Sequence, residues 1–196
     1  MVGINPMRIP GSWRQGYALD YHILWSNFIG HDEFGHPKFD TKRSEIGELL
    51  YRLKYGSDKS VLDAIVDTAA GFIASWNPDL SVIVPVPPTR IRAFQPVIEI
   101  AERIGARLNL PCRRDCIVKI KETPELKNVY DYNRRLELLE DAYTVAESTL
   151  KGENVLLFDD LYRSGATLDA ITRGLCGKGE VANVYALALT KTRSAS

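Results

Sequence analysis

Residues 154–167 read NVLLFDDLYRSGAT, and the fold is decided by how this stretch is read. The apolar run 155–158 has the length and composition of a buried strand. It ends in two adjacent carboxylates, Asp159 and Asp160. A small hydroxyl-and-glycine loop follows, Ser164, Gly165, Ala166 and Thr167, and then a helix-like pattern begins. Neighbouring acids repel one another and lose hydration at the lip of a core, so stability alone does not select them. In open α/β sheets ligands bind at the carboxyl ends of the strands. Backbone N–H groups and hydroxyls at a helix N-terminus favour an anion. Singly, the two halves have plainer readings, a helix cap and a solvated turn. Together and in this order they read as a diol binder beside a phosphate cradle.

Working outward, the rest of the chain alternates strands with helices. Ile46, Leu49, Leu50 and Leu53 recur at helical spacing, with a stop at 54–57. Val61, Leu62, Ile65, Val66, Ala69, Phe72, Ile73 and Trp76 form one face of a second helix, closed by Asn77-Pro78. Residues 80–86 read as a strand. Pro96 suits the first turn of a helix whose buried face is Val97, Ile98, Ala101, Ile104 and Leu108. Short strands are expected at 116–120 and 142–145. A helix after the 164–167 loop runs to Cys176 and is ended by Gly177-Lys178-Gly179, with a last strand at 181–190. This alternation predicts βαβ units and a mainly parallel central sheet flanked by helices. Residues 1–44 are rich in Gly, Pro and aromatics, with one strand within 17–25 and loops elsewhere. They are expected to form a small N-terminal extension or hood on an α/β domain spanning 45–196.

A chain of 196 residues is long enough for one such domain and a modest extension. Its formal net charge is zero, which gives no support to direct nucleic-acid binding or general membrane affinity. No apolar run approaches a membrane span, and residues 1–13 lack the pattern of a signal peptide. The odd set Cys112, Cys116 and Cys176 has no CxxC pair, so a reducing cytoplasm is expected rather than a disulfide framework. Between residues 90 and 135 there are eleven Lys/Arg against six Asp/Glu, and between 136 and 180 four against nine. A basic middle suits a polyanion, and an acidic later segment suits hydroxyls and Mg²⁺. Scattered solvated charge explains the same asymmetry.

Residues 84–94, VPVPPTRIRAF, are the second clue. A strand runs into Pro87 and Pro88, which pre-set a sharp turn. Thr89, Arg90 and Arg92 follow, and the arginines are suited to face a diphosphate bidentately. A rigid surface loop with solvated arginines is the plainer alternative. The polar stretch 121–135 has poor periodicity, as a lid would.

The 154–167 segment resembles the phosphoribosyl diphosphate (PRPP) signature of type I phosphoribosyltransferases. The resemblance implies that Asp159 and Asp160 take the ribose hydroxyls, and that Ser164, Gly165, Ala166 and Thr167 cradle the 5′-phosphate. Arg163 stands where many members carry a small hydroxyl residue; it either adds a phosphate contact or crowds the loop. Pro85-Val86-Pro87, Arg92 and Phe94 narrow the resemblance to the competence protein F (ComF) group. Ala93, Gln95 and Pro96 replace that group's Gly, Asn and Gln. The stretch from Arg52 to Gly56 is similar to its Lys-Tyr-containing segment. Lys119, Lys121 and Thr123 resemble its basic-x-basic-x-Thr pattern, but Leu126 takes the place of the usual Gln. The group's N-terminal cysteine zinc module is missing, and His22, His31 and His36 have no cysteines nearby to make a zinc site.

The resemblance implies a transferase that moves 5-phosphoribosyl from PRPP to a nitrogen nucleophile, an unidentified base or amine, and releases pyrophosphate. Asp159 and Asp160 would hold the diol and, through water, Mg²⁺. Pro87, Pro88, Thr89, Arg90 and Arg92 would meet the leaving pyrophosphate, and Lys119 and Lys121 would approach from the lid. Two other functions fit the same residues. One is a non-catalytic sensor of PRPP or a nucleotide on the same fold. The other is a phosphate-handling α/β module that forms an aspartyl phosphate. The aromatic-rich first forty residues offer a surface for self-association.

Overall fold

The strand that carries the acid pair lies inside the central sheet, one place in from its edge. In the computed structural model, which describes residues 1–88, 94–121, 137–139, 142–145 and 150–193, the order begins with β1 (Met7–Arg8), β2 (Gln15–Tyr21), β3 (Ile23–His31) and β4 (Pro37–Arg43). Then come α1 (Glu45–Tyr55), α2 (Leu62–Trp76), β5 (Val82–Pro85) and α3 (Pro96–Leu108). β6 (Ile117–Lys119), β7 (Tyr143–Val145), β8 (Asn154–Tyr162), α4 (Ala166–Gly177) and β9 (Asn183–Lys191) complete it. A five-stranded sheet has the order β1-β2-β9-β8-β5. Its β2–β9, β9–β8 and β8–β5 pairs are parallel, and only β1 pairs antiparallel. This is the α/β architecture with a mainly parallel sheet that the alternation predicts.

Side chains alternate across a strand, and β8 buries both faces. Val155 and Leu157 pack with Leu168, Ile171 and Leu175 of α4. Leu156 and Phe158 pack with Ile46 and Leu50 of α1, Ile65 of α2 and Ile100 and Ile104 of α3. Helices therefore cover both sides of the sheet. The outer edge of β5 is tied to the segment after α3, where Ile83 N donates to Pro111 O at 2.9 Å and Arg113 N donates to Ile83 O at 2.9 Å. That strap hides an otherwise open edge. All three cysteines are free; burial pushes the Cys112 and Cys116 thiols up to about 11, so both stay protonated.

Two expectations are corrected. The strand expected at 155–158 continues to Tyr162, because Asp159, Leu161 and Tyr162 stay in register with Ala188, Thr190 and Lys191 of β9. The acid pair thus lies within the strand rather than beyond its end. The first 44 residues hold four strands rather than one. β1 and β2 belong to the central sheet, whereas β3 and β4 form a separate hairpin. Along that hairpin Phe28 faces Phe39 with ring centroids 5.8 Å apart, and both rings are exposed.

The join between β2 and α1 is close. Ser44 caps α1, its Oγ accepting from Gly47 N at 3.0 Å. A Cβ on Gly47 would run into the His22 carbonyl oxygen and come within 2.9 Å of Ser44 Oγ. Gly47→Ala is therefore expected to lower stability by about 1–3 kcal/mol through overpacking against backbone. The measurement is a shifted urea midpoint with an unchanged m-value.

Candidate functional site

The C-terminal rim of the sheet opens into a cavity of about 350 Å³, bounded by β8, the turn after β5 and the ends of α1 and α3. Asp159 and Asp160 both line it, together with Arg163, Thr167, Pro87 and Pro88. The turn is set beside the acids because Val86 N donates to Phe158 O at 2.8 Å, one step beyond the last paired residue of β5. Following the alternation of β8, the acids leave the strand toward opposite faces. Asp160 meets α1, and Asp159 is close enough to Tyr143 of β7 for their charges to interact. Asp159 Oδ1 also accepts from Asp160 N at 2.8 Å.

Electrostatics separates the two carboxyls. Burial first, and the neighbouring Asp160 charge second, push Asp159 up to about 7. Asp160 has a cation of its own: Lys54 Nζ lies 2.5 Å from Asp160 Oδ2, with 21% and 11% of the respective side chains exposed. Tyr143, also on the cavity wall, is pushed up to about 12 by burial and by Asp159. It therefore remains a neutral hydroxyl. Of the two adjacent acids at this rim, Asp160 is paired with a lysine and Asp159 is a group that gives up its proton near neutrality.

The loop before α4 is shaped by Gly165, whose φ is +83°. A Cβ there would meet Tyr162 Cε2 and Oη, both at 2.9 Å. Tyr162 is itself fixed, donating from its hydroxyl to Pro10 O at 3.1 Å and meeting Trp13 edge-on. Asp169, in the first turn of α4, accepts from Ser12 N at 2.8 Å and Ser12 Oγ at 2.7 Å. Gly165→Ala is expected to cost about 1–3 kcal/mol through positive φ and the clash with Tyr162. Thermal unfolding followed by circular dichroism measures it.

Not every expected residue reaches the cavity. Ala166 is buried against Leu139 and Ala142 and acts as packing under the loop. Among the described residues, Ser164 and Gly165 belong to the turn but not to the cavity wall. Lys119 lies on β6 and Lys121 is exposed just beyond it; neither lines the cavity. Thr89, Arg90 and Arg92, and most of the expected lid, lie outside the described residues. Gln95 and Pro96, which replace the polar pair of the resembled group, do line it. So do Lys54 and Tyr143, to which the sequence reading gave no part in the site. Lys54 had a signal: it stands four residues after Leu50, on the buried stripe of α1, where a lysine needs a partner.

A divalent cation has modest provision here. Among the described residues no group of three His, Cys, Asp or Glu side chains comes together. Two carboxyls, one of them paired with Lys54, suit at most a cation that keeps most of its waters. Among the described residues no helix is long and apolar enough to cross a membrane.

No family model matches the chain. Solved structures similar to it include adenine phosphoribosyltransferase from Saccharomyces cerevisiae, with a TM-score of 0.47 and 12% identity over 84% of this chain and 83% of that one. Another is a hypothetical protein from Neisseria gonorrhoeae with bound ppGpp, with a TM-score of 0.45 and 13% identity over 70% and 71% of the two chains. A third is a hypoxanthine phosphoribosyltransferase from Staphylococcus aureus, with a TM-score of 0.42 and 12% identity over 70% and 68%. Among curated proteins, the chain is similar to Competence protein ComFC of Bacillus subtilis (strain 168), with 28% identity over 153 residues, which make up 78% of this chain and 62% of ComFC.

Proposed function

We propose that this protein binds PRPP and transfers its 5-phosphoribosyl group to a nitrogen nucleophile, with release of pyrophosphate. One observation carries the reading: a single cavity at the sheet's rim is lined by both acids, by Arg163 and Thr167 of the loop before α4, and by the Pro87-Pro88 turn. Those groups match the three parts of PRPP. The carboxylates suit the ribose diol. The start of α4 suits the 5′-phosphate, with Arg163 and the Thr167 hydroxyl as donors. The Pro87-Pro88 turn, which Arg90 and Arg92 follow in the sequence, suits the diphosphate. Asp159 and Asp160 would hold a hydrated Mg²⁺, which supplies positive charge to the departing pyrophosphate. Cleavage at the anomeric carbon gives the ribose oxocarbenium character, so catalysis rests on positioning and fixed charge more than on a strong base.

A second reading, a sensor that binds PRPP or a nucleotide without turnover, is favoured by Gln95 and Pro96 on the cavity wall and by Lys119 and Lys121 outside it. Calorimetry with PRPP and Mg²⁺ tests the shared part. Asp160→Asn is expected to weaken PRPP about 10- to 100-fold, the scale of a lost charged hydrogen bond. Unchanged affinity in that variant removes Asp160 from the site. Pyrophosphate release across a panel of bases and amines then separates the readings, because tight PRPP binding without release identifies the sensor.

A further inference from the structure

The turn between β1 and β2 meets both ends of the loop that leads from β8 into α4. At one end Tyr162, the last residue of β8, donates from its hydroxyl to Pro10 O at 3.1 Å. At the other, Asp169 in the first turn of α4 accepts at Oδ1 from Ser12 N at 2.8 Å and from Ser12 Oγ at 2.7 Å. Arg163 and Thr167, the loop residues on the wall of the rim cavity, stand between these two ties in the sequence. Pro10, Ser12, Tyr162 and Asp169 do not line that cavity, so the turn grips the loop from outside the site.

The turn is firm enough to serve as an anchor. Ile9 N donates to Gly16 O at 3.0 Å and closes it, and Arg14 N donates to Val184 O at 2.8 Å and joins it to β9. Trp13 is buried within it. Its indole N–H donates to Ile9 O at 3.1 Å, and a Cβ on Gly11 would fall 2.1 Å from its ring. The Tyr162 ring stands edge-on to Trp13, with centroids 6.4 Å apart, and packs against Gly165. Burial, and then the neighbouring Asp169, hold the Tyr162 hydroxyl above its ordinary value, so it carries its proton and donates at pH 7. Asp169 N donates to Gly165 O at 2.8 Å, so Asp169 joins the β1–β2 turn to the helix end that suits an anion. Left to itself, a loop built on glycine samples many shapes. Affinity falls with the share of the loop that is in the binding shape.

We propose that Ser12 and Tyr162 are positioning residues for the phosphate loop: the β1–β2 turn, held to Asp169 and Tyr162, keeps residues 163–167 in the shape that receives a sugar phosphate. The identity of that anion rests on the phosphoribosyl reading; the tether stands on its own geometry. Residues 10–12 of the N-terminal extension thereby take a share in the site without touching its ligand.

Amide hydrogen exchange of the ligand-free full chain is the first test. Ser12→Ala and Tyr162→Phe are each expected to speed exchange within 163–169 about fivefold, the worth of one hydrogen bond, and to leave 155–158 unchanged. Ser12→Thr keeps the hydroxyl and is expected to exchange as the wild type does. Calorimetry with Mg²⁺ and either ribose 5-phosphate or pyrophosphate is the second. Ser12→Ala is expected to weaken ribose 5-phosphate about fivefold. Pyrophosphate, whose expected seat is the Pro87-Pro88 turn, keeps its affinity. Loop exchange indifferent to both variants, or an equal loss of both ligands, overturns the proposal. Ribose 5-phosphate bound equally well by the wild type and Ser12→Ala overturns the tether alone. Faster loop exchange in a protein whose wild type binds neither ribose 5-phosphate nor PRPP supports the tether and overturns the phosphoribosyl reading.

Discussion

Lys54→Met is expected to destabilise the protein by about 2–3 kcal/mol at pH 7, and Asp160→Asn added to it is expected to restore most of that loss. Lys54 and Asp160 meet at 2.5 Å with little exposure. Breaking a buried pair from one side leaves an uncompensated charge and costs about 3–5 kcal/mol; the remaining exposure here screens part of that. Removing Lys54 is the worse half of the experiment, because it takes away the cation of Asp160 and leaves a second acid beside it. Asp160→Asn alone should cost less, since a lysine whose partner is gone can carry its amine toward water along its own stem. The double variant has neither charge and no orphan. A double-mutant cycle from urea unfolding should give a coupling of about 1–3 kcal/mol. Lys54→Met within about 0.5 kcal/mol of the wild type would mean that the pair behaves as an exposed ion pair.

The frame of this fold was legible because its strands are buried on both faces. The runs 155–158 and 181–190 have no periodicity to mislead, and α2 shows its apolar face at regular spacing with Asn77 as a left-handed cap. The hairpin was not legible for the opposite reason. Most of β3 is exposed, so ILWSNFIGH has no buried face to impose an alternation, and its apolar residues look like loop composition. The length of β8 was underestimated because Asp159 and Asp160 resemble a strand terminus, and only pairing with β9 carries the strand past them. At the site, the acid pair and the loop were readable because each residue type has a local reason to be there. Lys54 and Tyr143 were not, since their roles depend on which helix and which short strand the topology brings to the rim. Ala166 illustrates the converse: a residue inside the loop expected to cradle a phosphate, which instead serves the core.

Asp159→Asn is expected to raise stability at pH 8 by about 1–2 kcal/mol, or roughly 3–6 °C in Tm, with the gain shrinking as pH falls toward 4. The direction follows from linkage. Burial and the Asp160 charge push the Asp159 carboxyl up to about 7, against about 3.9 in an unfolded chain. The folded state therefore binds this proton more tightly. Its contribution to stability is complete below the unfolded value and is lost as pH rises through 7. Asparagine does not titrate, so the variant escapes that loss at high pH. Thermal unfolding at pH 5 and pH 8 reads the difference; a gap that does not widen with pH would show that Asp159 is ionised without strain. The residue is then kept at a cost to the fold, which points to what it gains from a ligand. Hydroxyl donors or a hydrated cation stabilise the carboxylate, so PRPP binding with Mg²⁺ near pH 7 should expel part of a proton from Asp159. Calorimetry in two buffers of different ionisation enthalpy would show this as a buffer-dependent heat that Asp159→Asn abolishes. Binding with no proton release in the wild type would place the ligand away from Asp159.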